Sequence, residues 1–138
     1  MKKTSFAILF VLIFLFSCED QIVSECEKQE TITGVTATFS SIQSEVFDTN
    51  CATAGCHVTN SVDPVLSTGV SYNNIVNVMS FNPPFPYVYP SRSDSSYILN
   101  KIRGVNIQGE RMPLNRPALS ETVIDSIAAW IDRGALNN

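Results

Sequence analysis

Hydrophobic positions along this chain form one apolar block near the start and several periodic stretches further on, separated by polar and proline-rich segments. Lys2 and Lys3 precede an unbroken apolar run from Phe6 to Phe16. That run has the charged start and short hydrophobic core of an export signal and is too short for a stable membrane span. Phe39, Ile42, Val46 and Phe47 then recur at helical spacing and predict an amphipathic helix over 40–50, with Ser40 or Ser41 as N-cap and Asn50 at its end. Tyr72, Ile75, Val76 and Met79 predict a short helix whose apolar stripe ends at Met79, expected as a gap-filling core residue. Asp94 is placed to cap a helix carrying Tyr97, Ile98 and Ile102 up to Gly104. The clearest pattern comes last: Ser120 as N-cap, then Val123, Ile124, Ile127, Ala128, Trp130 and Ile131 on one face, with Gly134 as the stop. The first and last of these helices are expected to pack together.

No segment alternates as a half-buried strand does, so the expected fold class is all-α. Pro83, Pro84, Pro86 and Pro90 are interleaved with Phe81, Phe85, Tyr87 and Tyr89, which excludes a helix or a central strand there. Such a loop either seals a small core or walls in a large flat apolar ligand.

Leu15-Phe16-Ser17-Cys18 resembles a bacterial lipobox, in which cleavage leaves the cysteine as a lipidated N-terminus. The expected organisation is therefore a signal peptide over 1–17, a lipidated tether over 18–36 and a folded domain over 37–138. Each acyl methylene buried in the bilayer contributes about 0.8 kcal/mol to anchoring. An ordinary secreted protein cut nearby is the alternative. Loss of Lys2 and Lys3 lowers the Lys and Arg count from 9 to 7 against 13 Asp and Glu, a net charge of −6. Nucleic acid is an unfitting partner for that surface, because phosphate binding needs basic side chains. Glu19, Asp20, Glu25, Glu27 and Glu30 crowd the stretch after Cys18, as expected of a solvated tether.

A domain of about a hundred residues buries a modest core and gains from a metal, a cofactor or a disulfide. With Cys18 lipidated, the remaining thiols are Cys26, Cys51 and Cys56, an odd number in an oxidising compartment. Two of them lie in "CATAGCH", residues 51–57, with the only histidine of the chain. A c-type haem site needs two thiols for the porphyrin vinyl groups and a histidine following the second cysteine, and Cys56-His57 keeps that adjacency. The thiols are separated by four residues where two are usual, and Ala52, Thr53, Ala54 and Gly55 are small enough to bulge away, with Gly55 free to adopt positive φ. Three other readings use the same residues: a Cys51–Cys56 disulfide, a zinc site of Cys26, Cys51, Cys56 and His57, and a Cys-His nucleophile pair.

A single histidine rules out two-histidine ligation of iron within one chain, so a sixth ligand would be a methionine, a lysine or another donor. Met112, held out of helix by Pro113 in "GERMPLNRPALS", is the better-placed thioether, and Met79 is the other that survives processing. Arg111 and Arg116 flank Met112, with Lys101 and Arg103 upstream. They are either solvated surface charge, or Arg111 or Arg103 pairs with a haem propionate or meets an acidic partner.

Taken in order, the short amphipathic helix, "CATAGCH", "SSYILNKIRG", "MP" and "LSETVIDSIAAWIDRGA" resemble a monohaem class I cytochrome c domain of the lipoprotein-anchored kind, over about residues 37–136. The four-residue gap and Val58 after the histidine, where glycine is frequent, depart from the family pattern. The resemblance implies one covalent haem c bound by Cys51 and Cys56, with His57 as proximal ligand and Met112 as distal ligand. It also implies that the helices carrying Phe47 and Trp130 cross beside the haem. The expected role is electron transfer to redox partner proteins in the envelope of a Gram-negative bacterium, without substrate turnover. A haem-free lipoprotein module with a Cys51–Cys56 disulfide is the alternative, and the oligomeric state is not legible.

Overall fold

The computed structural model describes residues 34–81 and 84–138. The expected signal peptide, Cys18, Cys26 and nearly all of the expected tether therefore lie outside the described residues, as does Pro83. Within them the regular structure is helical: α1 (Phe39–Ile42) runs directly into a π-helix (Gln43–Cys51), followed by α2 (Ser71–Ile75), a single 3₁₀ turn (Ser93–Ser95), α3 (Tyr97–Arg103) and α4 (Glu121–Asp132). Strand pairing among the described residues is limited to two isolated bridges, Val76 with Val88 and Met79 with Pro86. No helix among them is long and apolar enough to cross a membrane.

The first helix starts on Thr38 rather than on Ser40 or Ser41. Thr38 has the extended backbone of an N-cap and its hydroxyl accepts from Ser41 N at 3.4 Å. The serines are used otherwise. Ser41 Oγ accepts from Thr36 N at 2.9 Å, and the N–H groups of Phe39 and Ser40 donate to Asn138, to Oδ1 at 2.9 Å and to the main-chain O at 2.8 Å. The exposed amides of the first turn thus find partners at the far end of the sequence.

Phe39 also explains how the first and last helices meet. Its ring lies 5.5 Å from that of Trp130 and edge-on to Tyr72 at 5.1 Å. Trp130 Nε1 donates to Leu136 O at 2.8 Å, and the Tyr72 hydroxyl donates to Ala135 O at 2.8 Å, so both aromatic polar atoms are satisfied within the core. Helix α4 buries Ile124, Ile127, Trp130 and Ile131, packs on α3 and the 3₁₀ turn, and starts as expected with the Ser120 hydroxyl accepting from Val123 N. At its other end Gly134 N bonds Ile131 O at 2.9 Å and Ala135 N bonds Trp130 O at 3.0 Å, with φ +100° at Gly134, a complete Schellman motif.

Two expectations fail in the middle of the chain. Asp94 does not cap α3: it sits in the 3₁₀ turn, 3.7 Å from Arg92, while the helix begins after Ser96, whose hydroxyl donates to Arg92 O at 2.8 Å. Helix α2 stops at Ile75, since Val76 turns extended and Asn77 takes a left-handed φ of +57°. Residues 76–79 then pair with the proline loop, Asn77 N to Val88 O at 2.9 Å and Tyr87 N to Val78 O at 2.8 Å. Met79 is carried away from the core and is 60 % exposed, so it fills no gap there.

The two positions should respond oppositely to truncation. Ile127→Ala, at a fully buried site, is expected to cost about 2–5 kcal/mol, whereas Met79→Ala should stay within about 0.5 kcal/mol of the parent, both read from urea midpoints of the purified protein.

Candidate functional site

The core does not close completely. A cavity of about 410 Å³ remains beside it, within the range of small-molecule and cofactor pockets, and its walls are mainly apolar. The π-helix supplies Phe47 and Cys51, and the segment after it supplies Gly55, Cys56 and His57. Helix α3 turns Ile98, Lys101 and Ile102 toward the space, while Leu99 on its other side is buried in the core. Tyr87 and Phe81 of the aromatic loop also line it, edge-on to each other at 6.4 Å. Met112 and Pro113 complete the residues that the sequence singles out. Cys51, Cys56, His57 and Met112, more than fifty residues apart at the extremes, therefore share one cavity, and Met79 is not among its lining residues.

"CATAGCH" is folded tightly enough to absorb its longer spacer. Ala52 N closes the π-helix onto Phe47 O at 2.6 Å, Cys56 N bonds Thr53 O at 2.8 Å, and His57 N returns to Cys51 O at 3.1 Å. Gly55 has φ +79°, as expected, which a residue with a side chain would adopt only at a cost. Both thiols are free and half-buried.

The imidazole of His57 is fixed by a bond that sequence reasoning missed. His57 Nδ1 lies 2.9 Å from Pro64 O. A carbonyl only accepts, so Nδ1 carries a proton and Nε2 is the nitrogen left to meet a metal. The strap that holds Pro64 is itself pinned: Leu66 N donates to His57 O at 2.7 Å, Asn74 Nδ2 to Val65 O at 3.0 Å and Gln43 Nε2 to Leu66 O at 2.9 Å. Nothing in the local sequence around Pro64 signals that role.

The four basic residues near Met112 divide differently from expectation. Arg103 reaches only exposed Asp125, at 4.0 Å, and Arg111 donates to Met112 O at 3.0 Å and to Arg116 O at 2.9 Å, bracing the loop that carries the thioether. Neither lines the cavity. Lys101 and Arg116 do, each with a backbone carbonyl as partner, Gln108 O at 2.6 Å and Thr49 O at 3.1 Å. An anionic group at the cavity would thus meet Lys101 and Arg116 rather than Arg103 and Arg111.

The competing chemistries fit less well. Among the described residues no three of His, Cys, Asp and Glu come together to hold a metal ion, and Cys26, the fourth donor of the zinc reading, lies outside them. Burial pushes the Cys51 thiol up to about 11, only partly offset by the nearby Arg116 guanidinium. A protonated thiol at neutral pH is the opposite of an activated nucleophile, which argues against Cys51 in that role, while Cys56 and His57 are sequence neighbours with no orienting side-chain partner among the described residues. Two free thiols, an imidazole with Nε2 available and a thioether around an apolar space do match the donors and surroundings that a covalently attached haem requires.

Cys51 should reveal its environment in protein prepared without haem. Its alkylation by iodoacetamide at pH 7.5 is expected to run about a hundredfold slower than that of an unstructured cysteine peptide and to accelerate as pH rises toward 11, followed by peptide mass spectrometry. The folded state holds this proton more tightly than the unfolded chain does, so its contribution to stability is complete below the ordinary thiol range and is lost as pH climbs through 11.

Comparison of the chain with protein-family models, with curated proteins and with solved structures finds no match, so its reading rests on the site itself.

Proposed function

We propose that this protein is a lipid-anchored electron carrier with a class I cytochrome c-like domain, holding one haem c through Cys51 and Cys56. His57 would be the proximal ligand and Met112 the distal one. The observation that carries the reading is the 2.9 Å bond from His57 Nδ1 to Pro64 O inside an apolar cavity shared with both thiols and Met112. The bound haem would supply the reversible one-electron chemistry.

The chain's own residues then have defined tasks. Pro64 O holds the imidazole in one tautomer and makes it a stronger donor. The Met112 thioether would favour the reduced state of the bound group and so raise its reduction potential relative to many other ligand sets. Phe47, Leu66, Ile98 and Ile102 keep water from the site and lower its dielectric. With His57 and Met112 both committed to the iron, no coordination position would be left for a substrate, which fits a carrier for redox partner proteins in the cell envelope better than an enzyme.

Protein made in a host able to attach haem c should be red, with a Soret band that survives acid-acetone extraction; a colourless protein with a Cys51–Cys56 disulfide would favour the structural module. In the red protein, Met112→Ala is expected to lower the reduction potential and let carbon monoxide bind the ferrous iron, while Met79→Ala does neither. Carbon monoxide binding by Met79→Ala alone would overturn the ligand assignment.

Location tests the anchor independently. Cys18→Ser should move the protein from salt-washed membranes to the soluble fraction, because acyl chains and not the acidic tether supply the affinity. Retention of that variant on the membrane would remove the anchor from the proposal.

A further inference from the structure

We infer that Gln43 is the positioning residue for the His57 ring, and that the π-helix is what aims it. The inference builds on the proposed role of His57 as an iron ligand. Gln43 is buried, and every polar atom of its amide is used. Nε2 donates to Leu66 O at 2.9 Å and to Asp48 Oδ1 at 2.7 Å, while Oε1 accepts from the Ser71 hydroxyl. The other carboxylate oxygen of Asp48 accepts from Thr68 Oγ1 at 2.8 Å. Ser71, Thr68 and Leu66 all belong to the segment that leaves the histidine, so one glutamine ties that segment to the helix delivering Cys51.

The spacing between Gln43 and Asp48 depends on the helix type. Residues five apart in an α-helix point about 140° away from each other. In a π-helix, which bonds each residue to the fifth, they share one face, as residues four apart do in an α-helix. Gln43 and Asp48 are the first and sixth residues of the π-helix, so its wider turn lets the carboxylate orient the amide. The amide then fixes Leu66 O, Leu66 N fixes His57 O, and Pro64, two residues before Leu66, fixes the imidazole. Gln43 touches neither the ring nor any group bound to it. It acts through the strap.

Because His57 is the only histidine, full-length protein labelled with ¹⁵N-histidine reports on a single imidazole, with the ferrous state used where haem is present. In Gln43→Leu the Nδ1 proton is expected to exchange with solvent about fivefold faster than in the parent, the change one ordinary hydrogen bond carries. Ile127→Val, a core change on α4, serves as the control for general destabilisation and should leave the exchange rate unchanged. Should Gln43→Leu fail to fold, Gln43→Asn, which keeps the amide but falls one methylene short, decides by the same measure. Parent-like exchange in the deciding variant, or equal acceleration in Ile127→Val, overturns the inference. The measurement needs no haem: a parent protein without haem defeats the proposed function, while the exchange ratio still decides the role of Gln43.

Discussion

The hydrogen bond from His57 Nδ1 to Pro64 O gives the rest of the structure its logic, because it commits the only imidazole of the chain to one tautomer and one orientation. A neutral histidine free to rotate presents either nitrogen to a ligand. One held by a carbonyl presents only Nε2. The segments on either side of this bond are correspondingly over-determined. Backbone bonds from Cys56, His57 and Leu66 close the 51–57 turn and the strap upon each other, and Gln43 and Asn74 secure the strap from two different helices. A site held from so many directions keeps its geometry without relying on any single long helix, and the helices here are short.

The cavity leaves part of the domain short of packing contacts. An apolar space of about 410 Å³ in a small domain removes contacts that a solid core would provide, and the lining residues lose partners on one side. The fold compensates behind the cavity wall, where Phe39, Tyr72 and Trp130 form a tight aromatic cluster joined to the wall through Phe47, and the final residues supply carbonyls to its polar atoms. The protein thus has a dense half built on α4 and an open half built on the π-helix, α3 and the Met112 loop. Filling the open half with a large apolar group would supply the missing contacts, which is how a cofactor doubles as core in a domain of this size.

What could be read from the sequence was what local chemistry decides. Helix α4 carries its own start in Ser120, its own stripe and its own stop at Gly134, so all three agree with the fold. The positive φ of Gly55 was legible for the same reason, and the structure brings both thiols, His57 and Met112 to the wall of one cavity. Illegible features each depend on a partner far away in the chain. Thr38 outcompetes Ser40 and Ser41 as cap because Asn138 takes the amides of the first turn, and Met79 leaves the core because the proline loop pairs with 76–79 before helix α2 can continue. The π-helical register was likewise hidden, since it turns on Gln43 meeting Leu66 and Ser71.

The four-residue spacing of the two thiols is held by contacts within the segment itself. Four residues between Cys51 and Cys56 would leave the second thiol poorly fixed if they formed an open loop. The turn from Thr53 O to Cys56 N, the reversal at Gly55 and the bond from His57 N to Cys51 O fold the insertion back, so the chain re-enters the cavity next to where it left. Upstream, the π-helix widens the last turns and ends at Cys51 itself, with Ala52 N on Phe47 O. The extra length in the motif and the extra width in the helix therefore sit back to back at Cys51. A standard α-helix over the same residues would rotate Cys51 relative to Phe47 and part Gln43 from Asp48, so thiol placement and imidazole orientation both rest on one helical irregularity.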